Sequence, residues 1–175
     1  MLLAWRAILC LGLAATALSP TTTPAFLVPV DVRDASHLYG AGHRGVFAAA
    51  PIAKGTGVWE WTARVAKVHR GDVRAYFERE YPDRAARAVA VRQSFVAADD
   101  LDHLCVNPED AGRFTNHCER PSCGSDLRAA RDLAPGDELT LDYTNYPEPQ
   151  WYADLCAEHS VLTEPALARA CTEAD

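Results

Sequence analysis

Imidazoles, thiols, guanidinium groups and a late tyrosine crowd the second half of this 175-residue sequence, and their spacing limits the chemistry open to them. His117, Cys118, Cys123, Cys156 and His159 are all zinc-ligand types, but no Cys-x-x-Cys pair occurs and four residues separate Cys118 from Cys123. Structural zinc sites favour closer pairs, so buried thiols are the preferred reading. If Cys10 leaves with an N-terminal leader, Cys105, Cys118, Cys123, Cys156 and Cys171 remain, and five cannot all pair. One or two bridges are still allowed; a small secreted protein held by them would pair Cys118 with Cys123 or bind zinc. Arg113-Phe114-Thr115-Asn116-His117 sets a cation, an aromatic ring, an amide and an imidazole side by side. Alone, it could be a polar loop satisfied by its own backbone, and Tyr143 a half-buried strand aromatic.

Elements must hold these groups in place, and the composition bounds which ones. With 49% hydrophobic and 23% charged residues the chain is globular in type, and it is long enough to bury a core without disulfides or metal. No internal repeat or long linker divides it, so one domain is expected. Val28 to Arg33 alternates apolar and polar residues, and Gly45 to Ala49 is a short apolar run. Gly57 to Val68 places Trp59, Trp61, Ala63 and Val65 on one face, the period of a half-buried strand. Further strands are expected at Ser94 to Ala97, Leu104 to Val106, Leu127 to Leu133 and Glu138 to Tyr143, with Ala134-Pro135-Gly136-Asp137 as a turn. Asp72 can cap a helix carrying Val73, Tyr76 and Phe77, and Pro82 restarts it before Asp83 to Ala90. Pro149 can open a helix through Trp151, Tyr152, Leu155 and His159, and Thr163-Glu164-Pro165 another. The sum is a mainly β fold with a few helices.

The formal charge of −7 argues against general nucleic-acid affinity, because phosphate binding needs a basic surface. Charge is uneven: residues 64 to 92 carry eight basic residues against four acids, whereas residues 132 to 175 carry ten acids and only Arg169 as a base. Both runs read most simply as solvated surface. At the N-terminus Arg6 precedes the apolar run Ala7 to Leu18, then Ser19-Pro20, three threonines and Pro24-Ala25. At about 18 Å as a helix, that run is short for roughly 30 Å of hydrocarbon, so it reads as a cleavable signal rather than a membrane span. Residues Thr23 to Pro29 are similar to the junction of bipartite plastid presequences in algae with secondary plastids, which places the mature start near Phe26. The expected route is secretory, with a plastid as destination, or nuclear and cytoplasmic if the segment is not a working signal.

Two segments carry a more specific resemblance. Gly42-His43-Arg44-Gly45-Val46-Phe47-Ala48, followed by Ile52-Ala53-Lys54-Gly55, is similar to an opening G-x-G-V-F-A with an I-x-x-G turn. Arg113 to His117, then Pro121-Ser122-Cys123, then Gly136-Asp137-Glu138-Leu139-Thr140-Leu141-Asp142-Tyr143, is similar to R-F-x-N-H, P-N-C and G-E-E-L-T-x-D-Y. In this order and spacing they resemble the SET-domain family of protein lysine methyltransferases, over roughly residues 32 to 147. The resemblance implies a SET-domain fold: a β-clip of several small sheets with a threaded pseudoknot near the C-terminal strand. It divides the chain into a leader at 1–25, a SET domain at 30–147 with a variable helical insert at 64–92, and a helical tail at 148–175.

It also implies roles. S-adenosyl-L-methionine would be the cofactor, held by His43, Arg44, Gly45, Phe47, Arg113, Phe114, Asn116 and His117, with Gly45 permitting the close approach. Tyr143 would be the catalytic residue at the floor of a lysine channel, where Tyr76, Tyr81, Leu141 and Tyr146 are candidate lining residues. Methyl transfer from a sulfonium to an amine needs a neutral nucleophile, in-line geometry and exclusion of water, and no metal. The sequence departs from the pattern at His43, usually Gly, at Ser122, usually Asn, and at Glu119, where many nuclear members carry Cys. No C-x-C cluster follows Tyr143, so a post-SET zinc is not expected. The implied activity is methylation of lysine on a protein substrate by a monomer, with no direct nucleic-acid partner; the alternative is a SET-like binding module that has lost turnover.

Overall fold

The computed structural model describes residues 26–39, 42–60, 65–107 and 110–172, so the expected leader at 1–25 and the Trp61–Ala63 part of the expected long strand lie outside the described residues. β1 (Val30–Asp34) and β2 (Arg44–Ala48) form an antiparallel pair with Val32 opposite Val46, joined by the short helix α1 (Ser36–Tyr39). β3 (Ala66–His69), β4 (Phe95–Ala97) and β5 (Asp100–Val106) make a three-stranded antiparallel sheet with β5 in the centre. Between β3 and β4 lie α2 (Val73–Glu80) and α3 (Arg84–Arg92). β6 (Asn116–His117) pairs in parallel with β7 (Thr140–Leu141), Asn116 opposite Thr140, and α4 (Gln150–Glu158) and α5 (Glu164–Thr172) close the chain. This is the expected plan of several small sheets and few helices.

Each element has a local cause. Val73 and Phe77, four apart, bury one face of α2, while the Asp83 carboxylate caps α3 by accepting from the Ala86 amide at 2.8 Å. Asp72, the expected cap of α2, makes no side-chain cap bond; its own amide is instead tied to the His69 carbonyl at 2.8 Å in the turn leaving β3. Residues 134–137 form the expected turn, with the Asp137 amide donating to the Ala134 carbonyl at 3.0 Å and Gly136 at φ +94°.

Two expected strands are not continuous. Gly57 and Trp59 make single bridges to Arg128 and Phe26, whereas β3 pairs with β5, so the alternating stretch 57–68 is divided between two sheets. Trp59 is only half-buried and donates its indole N–H to Asp110 at 3.1 Å, while its neighbour Val58 faces the core. Leu127 to Leu133 also gives isolated bridges, because Leu127 turns through φ +60°.

Two apolar clusters result. The first joins Phe26, Val30, Val46, Ile52, Val58 and Leu139; the second joins Val68, Phe77, Val91, Leu104, Tyr152 and Leu155, so β3, β5, α2, α3 and α4 share one core. Ion pairing of Arg74 with Glu158 ties α2 to α4 at the surface of the second.

Candidate functional site

β2 and β6 bring the two motif segments together through one amide. Asn116 donates from Nδ2 to the Arg44 carbonyl at 2.9 Å and to Glu138 Oε1 at 2.8 Å. Two acceptors on the same nitrogen fix which way the amide points and leave its oxygen as the group for a ligand donor. Gly45 makes room for this arrangement: a Cβ there would lie 2.4 Å from Glu138 Oε1 and 3.0 Å from the Phe47 ring. The resemblance gives this glycine to the approach of a cofactor; the structure shows it making room for the Glu138 side chain, whose role the motif did not disclose. Arg44 and Arg113 stack on the Phe114 ring, with guanidinium carbons 4.3 and 4.7 Å from its centroid. Burial, and then the neighbouring Arg44, hold the Arg113 guanidinium below its ordinary pKa. Phe47 is buried with Arg33 over its ring at 5.4 Å, and His43 is set by its carbonyl, which accepts from the Ala35 amide at 2.9 Å. Gly42 takes φ +82° whereas His43 does not enter the positive-φ region, so a side chain at position 43 is unstrained.

His117 links this polar junction to Tyr143. Its Nδ1 accepts the Tyr143 amide hydrogen at 3.1 Å, so the neutral ring carries its proton on Nε2, and that buried Nε2 has no hydrogen-bond partner among the described residues. An orphaned donor beside a fixed amide is a specific vacancy for an acceptor. Tyr143 opens a 3-10 turn, Tyr143–Asn145, capped by Asp142, whose carboxylate accepts from the Thr144 amide at 2.9 Å and is held below the usual range by the Thr144 side chain first. The Tyr143 hydroxyl donates to the Thr115 carbonyl.

Beyond Tyr143 lies a cavity of about 110 Å³. Leu141, Tyr143 and Tyr146 line it, together with Phe95, Leu167 and the carboxyl-bearing Glu164 from α5. Tyr146 packs edge-on to both Tyr143 and Phe95 at 5.5 Å, and burial pushes its phenol up to about 12. Of the residues expected to hold the cofactor only Arg113 also lines this cavity; His43, Arg44, Gly45, Phe47, Phe114, Asn116 and His117 do not. Tyr76 and Tyr81 do not line this cavity; both pack on Phe77, at 5.5 and 5.8 Å, as partners of the second apolar cluster. Glu164 was missed because Thr163-Glu164-Pro165 signals a helix start but says nothing of what that helix end is buried against.

Ser122 replaces the usual Asn without loss of order. Its hydroxyl accepts the Thr140 amide at 2.8 Å while its amide donates to the Thr140 hydroxyl at 3.0 Å, pinning residues 122–123 to β7. Cys105, Cys118, Cys123 and Cys156 are free thiols, and no group of three or more metal-type side chains gathers among the described residues. No helix among those residues is long and apolar enough to cross a membrane.

A family model for the SET domain matches residues 43–144. No curated protein matches the chain. Among solved structures, one described as "ctPRC2 in an autoinhibited conformation bound to S-adenosylmethionine" is 19% identical with a TM-score of 0.48, over 74% of this chain and 16% of that one.

Proposed function

Because the chain belongs to the SET-domain family, whose members use S-adenosylmethionine as methyl donor, we propose that it transfers a methyl group to the side-chain amine of lysine in a protein substrate. The observation that carries the reading is the junction at Tyr143, where the polar cradle of Asn116 and His117 meets a largely apolar cavity.

The residues present fit the cofactor. The Asn116 amide oxygen can accept from an α-ammonium, and the orphaned His117 Nε2–H can donate to an acceptor of the ligand. Arg44 and Arg113 on one ring raise the local positive potential, which suits the carboxylate of the amino-acid moiety. When bound, S-adenosylmethionine supplies an electrophilic methyl group on a sulfonium. With its hydrogen committed to Thr115, the Tyr143 phenol keeps oxygen lone pairs to accept from the amine and to stabilise the positive charge that passes across it, as a dipole fixed in advance. Leu141, Phe95 and Tyr146 exclude water, which favours the neutral amine that must attack. Asn116 and His117 act on the cofactor's side and keep the reacting atoms aligned.

Transfer of labelled methyl from S-adenosylmethionine to a total protein extract tests this, with Tyr143→Phe and Asn116→Ala alongside. Label that depends on both residues supports the enzyme. Folded protein that neither binds S-adenosylmethionine nor transfers label would overturn it.

A further inference from the structure

α5 contributes Glu164 to the lining of the cavity, and nothing in the SET motif accounts for it. Glu164 is 8% exposed and lines the same space as Tyr143 and Tyr146. Among the described residues that line it Glu164 is the sole acid, and Arg92 and Arg113 are the other charged groups. Both of its oxygens lie 3.0–3.1 Å from the Tyr152 hydroxyl, which also lies 2.6 Å from the Ser94 carbonyl. A phenol has one hydrogen. When that hydrogen serves Ser94, the contact to Glu164 is satisfied only if the carboxyl itself is protonated and donates to the phenolic oxygen. In that arrangement the carboxyl is neutral, and an ammonium placed against it reverses the preference.

Resting on the methyltransferase reading, we propose that Glu164 receives the substrate amine, pairing with its ammonium and taking its proton before methyl transfer. An ammonium N–H bond breaks as a Glu164 O–H bond forms. The freed nitrogen lone pair then forms the N–C bond as the sulfonium C–S bond breaks, its electron pair going to sulfur. The methylated ammonium leaves with the positive charge, and Glu164 returns its proton to water.

Burial first, and then nearby Glu148, push this carboxyl up to about 8, far nearer a lysine than an ordinary glutamate, so proton transfer between them is less uphill. The groups that face it are known. Tyr152 and Cys156 of α4 are both held neutral by burial, as is Tyr146. Glu148 bonds to the Thr163 hydroxyl and pairs with Arg169 at 3.4 Å, so its charge is partly balanced. Arg92 and Arg113 also line the cavity, and their charge favours the ionised carboxylate.

The test uses the full chain and n-butylammonium, the lysine side chain alone, which stays charged from pH 7 to 9. Binding is read by saturation-transfer NMR, with n-butanol as the neutral control. Affinity of the wild type for n-butylammonium should rise about ten-fold between pH 7 and 9, following the ionised fraction of a group with midpoint near 8, while n-butanol binding stays flat. Glu164→Gln should bind the cation about ten-fold more weakly at pH 9 and lose the pH dependence. A flat wild-type profile, or a Gln variant that binds the cation as tightly as wild type, overturns the proposal, and the wild-type profile decides the matter if the variant does not fold. Glu164-dependent binding by a protein that transfers no methyl group would uphold the amine site and sink only the methyltransferase reading.

Discussion

The two sides of Tyr143 are built on opposite principles. On the side of β2 and β6, side chains are locked to one another: Asn116 to Arg44 and Glu138, His117 to the Tyr143 amide, two guanidinium groups to one ring. On the side of α5 the wall is largely apolar, with ring edges and aliphatic branches around the buried Glu164 and the guanidinium-bearing Arg92 and Arg113. The contrast fits two kinds of guest. A cofactor with fixed donors and acceptors rewards groups oriented in advance, whereas an alkyl chain ending in an amine needs apolar walls and an acid at their end.

The largest expected effect separates the sides by pH. An ordinary glutamate titrates near 4.5 and folded Glu164 near 8, so between those values the unfolded chain binds fewer protons than the folded one. The sign follows: this group favours the folded state fully at low pH, and that contribution is lost as pH rises from 4.5 through 8, then levels off. At roughly 1.4 kcal/mol per unit the loss is about 5 kcal/mol at most. Urea titrations across this range should show it, and Glu164→Gln should flatten the slope. An unchanged slope in the variant would mean that Glu164 is solvated and that the cavity is not as dry as its lining implies.

Next in size, Tyr143→Phe should slow methyl transfer about 100-fold, near 2.7 kcal/mol, because it removes the hydroxyl that both sides share. Binding of S-adenosylmethionine and of n-butylammonium should survive, since neither is assigned to the phenol hydroxyl. Loss of either ligand together with rate would show that the phenol holds the architecture rather than the transition state.

Which side could be read from the sequence follows from how locally each is made. Arg113 to His117 and Gly136 to Tyr143 are short runs whose partners lie within the same motif series, so the polar junction was legible almost residue by residue. Glu138 was in view but silent, because its bond to Asn116 depends on a strand bridge from Phe47 to Glu138 that periodicity does not encode. The cavity depends on α5 docking beside the turn at Tyr143, a contact between distant segments, and so Glu164 was invisible. The packing of Tyr76 and Tyr81 on Phe77 was hidden for the same reason: aromatic residues on an insert look alike whether they line a channel or cover a core. Trp59 shows how a clean alternation misleads, since Asp110 holds its indole while the strand it should extend belongs to another sheet.

Gly45→Ala sharpens the comparison from the polar side. The added methyl would stand 2.4 Å from Glu138 Oε1, and that side chain cannot swing away without giving up its bond to Asn116. A cost of about 2 kcal/mol in stability is expected. Calorimetry should show weaker S-adenosylmethionine binding, while n-butylammonium binding is unchanged; Glu164→Gln should give the reverse pattern. If both variants weakened both ligands, the two sides would be one coupled site.

The smallest effect concerns the support beneath both sides. Ser122 is 1% exposed, and its hydroxyl takes the Thr140 amide hydrogen while Thr140 takes the Ser122 amide hydrogen. Ser122→Ala leaves the Thr140 amide without an acceptor in the interior, which should cost about 1 kcal/mol and lower the melting temperature by a few degrees. Because β7 carries Leu141 towards the cavity and pairs with β6 under the cradle, the loosening should weaken the two ligands equally and slightly. Ser122→Asn tests whether the bond or the residue matters: an amide oxygen that reaches the Thr140 N–H restores stability, whereas a side chain too large for this pocket destabilises further than Ala. The second outcome would show that serine here is matched to its surroundings, its short hydroxyl reaching the Thr140 amide where a longer side chain has no room.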